Sequence, residues 1–204
     1  RSRDHPASVS TTFMLAITTI AQRAPAVRDL LQVCALLRPD AIPEKIFRQG
    51  GEHLGAQLQA ICGDALEWDR VLGVACAYSL LSRRPEEQTL SMHRLVQAVL
   101  LDTMTEAEQE LWNRRIIAAL GAVFPEMEYG AESAVWKQCE HLLPHVLLSL
   151  HRDGGTSESL TCAALDYKTA SYLLQRGQLI EAEPLFQRAL QIREQALGPE
   201  HPEA

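Results

Sequence analysis

The sequence predicts a mainly α-helical fold with one small β-hairpin, on three observations. Apolar residues recur at helical spacing through most of the chain, as at Val27, Leu30, Leu31, Cys34 and Leu37. One stretch breaks that rhythm: residues 79–83 and 88–92 flank the turn Arg84-Pro85-Glu86-Glu87, the layout of a short hairpin. Residues 165–204 then carry a helix–turn–helix pattern. Small residues Ala170, Ala182 and Ala189 sit where two helices must approach closely, Gly177 falls in the turn, and Phe186 follows Ala182 by one helical turn.

The elements follow in order. Residues 9–22 carry Phe13, Met14, Ile17, Ile20 and Ala21 as a helical stripe. Pro25 opens a second helix that runs to Leu37, because a first helical position needs no N–H and favours the fixed φ of proline. Arg38-Pro39-Asp40 ends it, and Pro43 opens a short third helix through Phe47. After the loop Gln49-Gly50-Gly51, residues 54–61 form a weak helix ended by Gly63. Asp64 caps the next one, which passes through Trp68, Val71, Leu72 and Ala75 to Tyr78. Beyond the hairpin, residues 94–104 return to helical spacing with Leu95, Val96, Val99 and Leu100. Thr105-Glu106-Ala107-Glu108 reads as a helix start with acids in its first turn. That long helix ends at Phe124-Pro125. Residues 136–151 are helical with a boundary expected at Pro144, and Asp153-Gly154-Gly155-Thr156-Ser157 is a linker. Helices over 157–176 and 179–197 complete the chain, giving expected segments 1–104, 105–152 (a helical linker) and 153–204.

Composition narrows the function. With 47% apolar and 22% charged residues, the 204-residue chain is ordinary for a soluble globular protein. Its net charge of −7, from 26 acidic and 19 basic residues, argues against a general binder of nucleic acid or anionic membrane. No uncharged apolar run is long enough to span a bilayer, and the N-terminus lacks a signal-peptide core. Cys34, Cys62, Cys76, Cys139 and Cys162 are scattered and never spaced Cys-x-x-Cys, which suits reduced, mostly buried thiols in a cytoplasmic protein. The spacing Cys139-x-His141-x-x-x-His145 invites a metal reading, but Pro144 interrupts it and no clear fourth ligand is near. Phosphate-cradling Gly-x-x-x-x-Gly-Lys-Ser/Thr, Gly-x-Ser-x-Gly and His-Glu-x-x-His are all missing from the sequence. The expectation is therefore a chain with no catalytic site and no cofactor of its own.

Two resemblances sharpen this. The spacing of Ala170, Gly177, Ala182, Phe186 and Ala189 resembles a tetratricopeptide repeat, and Ala196-Leu197-Gly198-Pro199-Glu200-His201-Pro202 resembles the extended variant of kinesin light chains and many bacterial signalling proteins. One such unit cannot bury its apolar face alone, so the pattern implies neighbouring repeats and the start of an α-solenoid. The chain then reads as a piece of a longer protein. Three helices, a two-stranded wing and a further helix resemble the order of a winged-helix domain.

Met92-His93-Arg94-Leu95-Val96-Gln97, where the wing meets the next helix, is similar to the winged-helix segment of STAND-class (NB-ARC type) signalling ATPases. These include plant resistance proteins, apoptotic protease activators and bacterial regulators with tetratricopeptide tails. Residues 9–37 resemble the start of that domain, Ala41-Ile42-Pro43 its short third helix, and Leu142-Leu143-Pro144-His145-Val146 a segment common before the repeats.

The resemblance implies a regulatory segment whose winged helix senses ADP or ATP in an upstream nucleotide domain, with His93 at a phosphate of ADP. An imidazole N–H at a helix N-terminus suits an anion; as a bland alternative, His93 caps the helix or packs beneath the wing. Arg94 departs from the Asp of many members, which bears on their Asp-dependent locking contacts. The repeats would take a protein partner or ligand and pack on further repeats. The rival is a DNA-binding winged-helix regulator with a repeat sensor tail, using Arg83-Arg84 at the wing tip. Its groove helix would carry Glu67 and Asp69 against Arg70 alone, a poor pattern for DNA. A plain scaffold is a third possibility.

Overall fold

The computed structural model describes Ile17, Thr19 and residues 24–128, 130–154 and 159–198. The expected helix over 9–22 and the tail after Gly198 lie largely outside these; Ile17 and Thr19 are helical, and Ile17 is buried in the core.

Helix α1 (Pro25–Leu36) has its proline at the first turn and is buried along nearly its whole length. The expected third helix does not open at Pro43. Ile42–Pro43 is instead a strand, β1, paired antiparallel with Thr89 and Leu90. Ala41 at φ 52° turns the chain into the sheet, and Pro43 sits on an edge strand, where its missing N–H breaks no ladder. Helix α2 (Lys45–Gly50) follows, then a 3-10 turn at Gly51–His53 and α3 (Ala56–Cys62). Gly50 is required by packing: a Cβ there would lie 2.9 Å from Ala119. Helix α4 (Ala65–Ala77) is capped by Asp64, which accepts from the N–H groups of Leu66 and Glu67. The hairpin is β2 (Ser82–Arg84) and β3 (Thr89–Ser91), and the three-stranded antiparallel sheet has the order β1-β3-β2.

Helix α5 (Arg94–Thr103) leads into α6 (Glu106–Val123), whose start is a complete Thr105–Glu108 capping box. Residues 105–152, expected as a helical linker, supply α6 and most of α7 (Ser133–Asp153). Pro144 does not interrupt α7. Proline there removes one helical bond to the Glu140 carbonyl, and both residues lie on the exposed face where water replaces it. Asp153 closes α7 and Gly154 takes a left-handed φ of 63° as its C-cap; the rest of the expected linker lies outside the described residues. The two last helices are α8 (Leu160–Gln175) and α9 (Leu179–Leu197).

One apolar cluster runs from Ile17 through Phe47, Trp68, Leu90, Ile116 and Val146 to Ala182, so the sheet region, α6–α7 and the last helix pair share a core. Helix α7 also ties both ends together by hydrogen bonds. At one end its Leu150 carbonyl accepts from Arg188 (3.4 Å) and its Ser149 carbonyl from Asn113 (3.0 Å). Nearer the sheet, Gln138 accepts from Lys45 (2.8 Å) and His145 Nε2 lies 3.4 Å from the Ala41 carbonyl.

His145 is 1% exposed, and burial lowers it from 6.5 to about 4. The unfolded chain therefore binds a proton here between those values and the folded chain does not, so the stability from this site is complete above about pH 6.5 and is lost as pH falls toward 4. Urea titrations at pH 7 and pH 4.5 are expected to differ at this site by roughly 2–3 kcal/mol. His145→Gln should flatten that part of the profile.

Candidate functional site

His93 is the N-cap of α5, and its Nδ1 accepts from the Leu95 N–H at 3.1 Å. An Nδ1 that accepts leaves the proton of the neutral ring on Nε2, so the exposed ring keeps one donor beyond the cap. Capping and anion donation, read from the sequence as alternatives, use different nitrogens. The start of α5 is held firmly. The Met92 N–H donates to the Pro39 carbonyl (2.8 Å), and the Gln97 amide donates to the carbonyls of Ala35 (3.0 Å) and Leu37 (2.8 Å), closing the end of α1. Arg94 reaches only to 4.0 Å from Asp40, both side chains largely in solvent, so its charge stays available beside His93.

The two hairpin arginines behave differently from each other. Arg83 is a clamp: its guanidinium binds Glu44 (2.6 and 2.8 Å) and Asp69 (2.7 Å), while Glu44 also accepts from Trp68 Nε1 (2.9 Å). The Glu44 carboxylate holds the Arg83 guanidinium well above its usual value. Arg84 remains exposed beside Glu87. Arg70 on α4 is bound to Glu67 at 2.7 Å, so neither Arg70 nor Arg83 is offered to a phosphate backbone. The metal reading has no support in the geometry. Cys139 is buried with its thiol 3.7 Å from Met127 Sδ, His141 is exposed, and no group of three ligands forms among the described residues.

In the last helix pair, Ala170, Ala182 and Ala189 are buried where α8 and α9 approach, and Gly177 makes the turn at φ 76°. Phe186 is half-buried and packs edge-on against Tyr167 at 5.7 Å, and the Arg193 guanidinium lies over the Tyr167 ring at 5.2 Å. Large apolar side chains also stand exposed: Leu160, Tyr167 and Leu174 at seven-residue intervals on α8, and Leu179, Ile180 and Leu190 on α9. Leu190→Glu is accordingly expected to change unfolding free energy by less than about 0.5 kcal/mol, and Phe186→Ala to cost about 1–3 kcal/mol, both read from urea curves. Sequence reasoning missed the buried pair Asp166–Arg188, which joins α8 to α9, because a lone Asp and a lone Arg on helices read as solvated.

Comparisons with known proteins match two stretches of the chain. Residues 170–203 match the tetratricopeptide repeat family. The match takes in the end of α8 and the whole of α9, a tetratricopeptide-like repeat. Residues 18–109, which include α1 to α5 and the sheet, match a family described as a domain of unknown function (DUF7779). A "nucleotide-binding leucine-rich repeat (NLR)-like protein" of Hyaloscypha variabilis is 22% identical over 205 residues, covering 100% of this chain and 19% of that protein. The chain thus spans 19% of the length of the curated relative it matches. No solved structure matches.

Proposed function

We propose that this chain is the regulatory and coupling segment of a STAND-type signalling ATPase, with a winged-helix domain that reads the ADP or ATP state of a nucleotide domain elsewhere in the protein. The observation that carries the reading is His93, a helix cap with its second ring nitrogen left as a donor in an exposed position. Such a donor at a helix N-terminus suits a phosphate oxygen, and Arg94 adds positive charge where many relatives of the class have Asp. The order of helices and strands, with a sheet ordered β1-β3-β2, supports the winged-helix reading. The name of the similar fungal protein supports a nucleotide-binding architecture for the whole. ATP chemistry belongs, in this reading, to residues outside this chain, in the cytoplasm. The repeat offers its apolar face to a protein partner or to further repeats. Helix α7, bonded to Arg188 at one end and packed on Ala41 nearer the sheet, is the physical link between repeat and sensor.

The test uses the full-length protein. His93→Ser keeps a good N-cap but removes the imidazole donor. A lost bond to a charged group of about 1.5–3 kcal/mol should speed ADP release about 10- to 100-fold without lowering the stability of α5. His93→Ala should speed release equally and also cost about 1 kcal/mol of stability through the lost cap. Unchanged ADP release in both variants would leave His93 a cap and nothing more.

A further inference from the structure

Residues 37–44 join α1 to α2 and are bonded on two sides, to the hairpin and the start of α5 on one and to α7 on the other. On the first side the bonds are short. The Leu37 carbonyl accepts from the Gln97 amide (2.8 Å), the Pro39 carbonyl accepts from the Met92 N–H (2.8 Å), and the Glu44 N–H donates to the Gln88 carbonyl (2.9 Å). Ile42 pairs with Leu90 between them. On the second side α7 supplies His145, and its Gln138 accepts from Lys45 (2.8 Å) just beyond the run.

Ala41 departs from this firmness. Its φ of 52° lies in the left-handed region, where the Cβ of an L-residue crowds the following carbonyl and which alanine rarely enters. Its polar contacts are the long ones of the run. The Ala41 N–H lies 3.4 Å from Ser91 Oγ, and the Ala41 carbonyl lies 3.4 Å from His145 Nε2. The strained residue is thus held more weakly than the residues on either side of it, which is where a hinge belongs. A carbonyl only accepts, so His145 Nε2 carries the ring proton in this contact. His145 Nδ1 is buried and finds no partner among the described residues, so the ring has Ala41 as its polar contact.

We infer that residues 37–44 are a two-position strap, hinged at Ala41, through which His145 on α7 sets the placement of the start of α5. In the position seen here the imidazole holds the Ala41 carbonyl, the left-handed backbone is retained, and the Pro39 carbonyl faces the Met92 N–H. When α7 withdraws His145, Ala41 relaxes to negative φ. The Pro39 carbonyl then turns from Met92, and His93 loses its fixed setting. A strained residue with one stabilising contact is a bistable element that a small shift of a packed helix can tip. His145 and Ala41 are positioning residues, since they act on His93 through the strap. As regulation of His93 the inference rests on the nucleotide-sensing reading; as a mechanical link between α7 and α5 it does not.

The test is amide hydrogen exchange of the isotope-labelled chain, read by NMR at Met92 and Leu95 and, for reference, at Leu72 and Leu120 in the core. Ala41 is exposed, so changing it leaves the core packing intact. Ala41→Val disfavours positive φ further and should speed exchange at Met92 and Leu95 about 3- to 10-fold, with the reference amides unchanged. Ala41→Gly favours positive φ and should slow it. His145→Leu removes the donor and should act like Ala41→Val, whereas His145→Gln keeps an N–H and should stay near the native rate. Adding Ala41→Gly to His145→Leu should restore most of the protection. Unchanged exchange at Met92 and Leu95 in His145→Leu, an equal change at Leu72 and Leu120, or Ala41→Gly and Ala41→Val acting in the same direction would overturn the strap. In the full-length protein, ADP release that responds to His93→Ser but not to Ala41→Val would overturn its regulation of His93. ADP release indifferent to His93→Ser would instead overturn the sensing reading, and the exchange rates alone then decide the strap.

Discussion

Trp68→Ala is expected to remove about 3–5 kcal/mol of stability, a large share of the roughly 5–15 kcal/mol that holds a typical domain folded. Trp68 is 2% exposed and packs against Phe47 with ring centroids 5.4 Å apart. Its Nε1 donates to Glu44, which in turn receives Arg83 from the hairpin. Truncation therefore opens a cavity between α2 and α4 and strips one donor from a buried carboxylate. Trp68→Phe separates the two effects. It keeps most of the ring packing and loses one bond to a charged group, for an expected cost of about 1.5–3 kcal/mol. Urea denaturation followed by circular dichroism reads both. Because the sheet region and the repeat share one apolar cluster, the helical signal should be lost in a single transition.

Asp166→Ala should cost a similar 3–5 kcal/mol by a different route. Asp166 is fully buried and binds Arg188 through both oxygens, and Arg188 goes on to the Leu150 carbonyl of α7. Burial works against the charge on Arg188, yet the Asp166 carboxylate outweighs it and holds the guanidinium above its usual value. Removing the carboxylate leaves a largely enclosed cation without a counter-charge. A variant that replaces both partners, Asp166→Leu with Arg188→Met, should regain most of the loss, since well-packed apolar side chains often match a buried pair. Failure of the double variant to recover would mean that the bond to α7, rather than the pair itself, holds the repeat in place. Thermal unfolding of the three variants distinguishes these outcomes.

Much of the fold was legible because local chemistry announces helix ends. Pro25, Asp64 and the Thr105–Glu108 box each mark a start that the structure keeps, and Gly177 marks the turn of the repeat. β1 was not legible, because two residues have no periodicity and their pairing with Thr89 and Leu90 is set by the distant hairpin. Pro144 misled for a related reason: whether a helix tolerates proline depends on water reaching the freed carbonyl, which only the packing decides. At the candidate site, His93 was legible as a polar residue at a helix start. Its division into a capping nitrogen and a donating one needed the backbone geometry at Leu95. The Glu44–Arg83 and Asp166–Arg188 pairs bring together residues far apart in sequence, where each alone looks like a solvated surface charge.

In the proposed reading, the state of a bound nucleotide reaches the repeat through His93 and α7. Hydrogen exchange of the full-length protein, compared between its ADP-bound and ATP-analogue-bound forms, tests it most directly. The expected result is slower exchange at Leu95 and Val96 with ADP, with a matching change along α7 and into α8 and α9, and loss of both in His93→Ser. Identical exchange at the start of α5 in the two nucleotide states, or a change there that stops short of α7, would contradict the account.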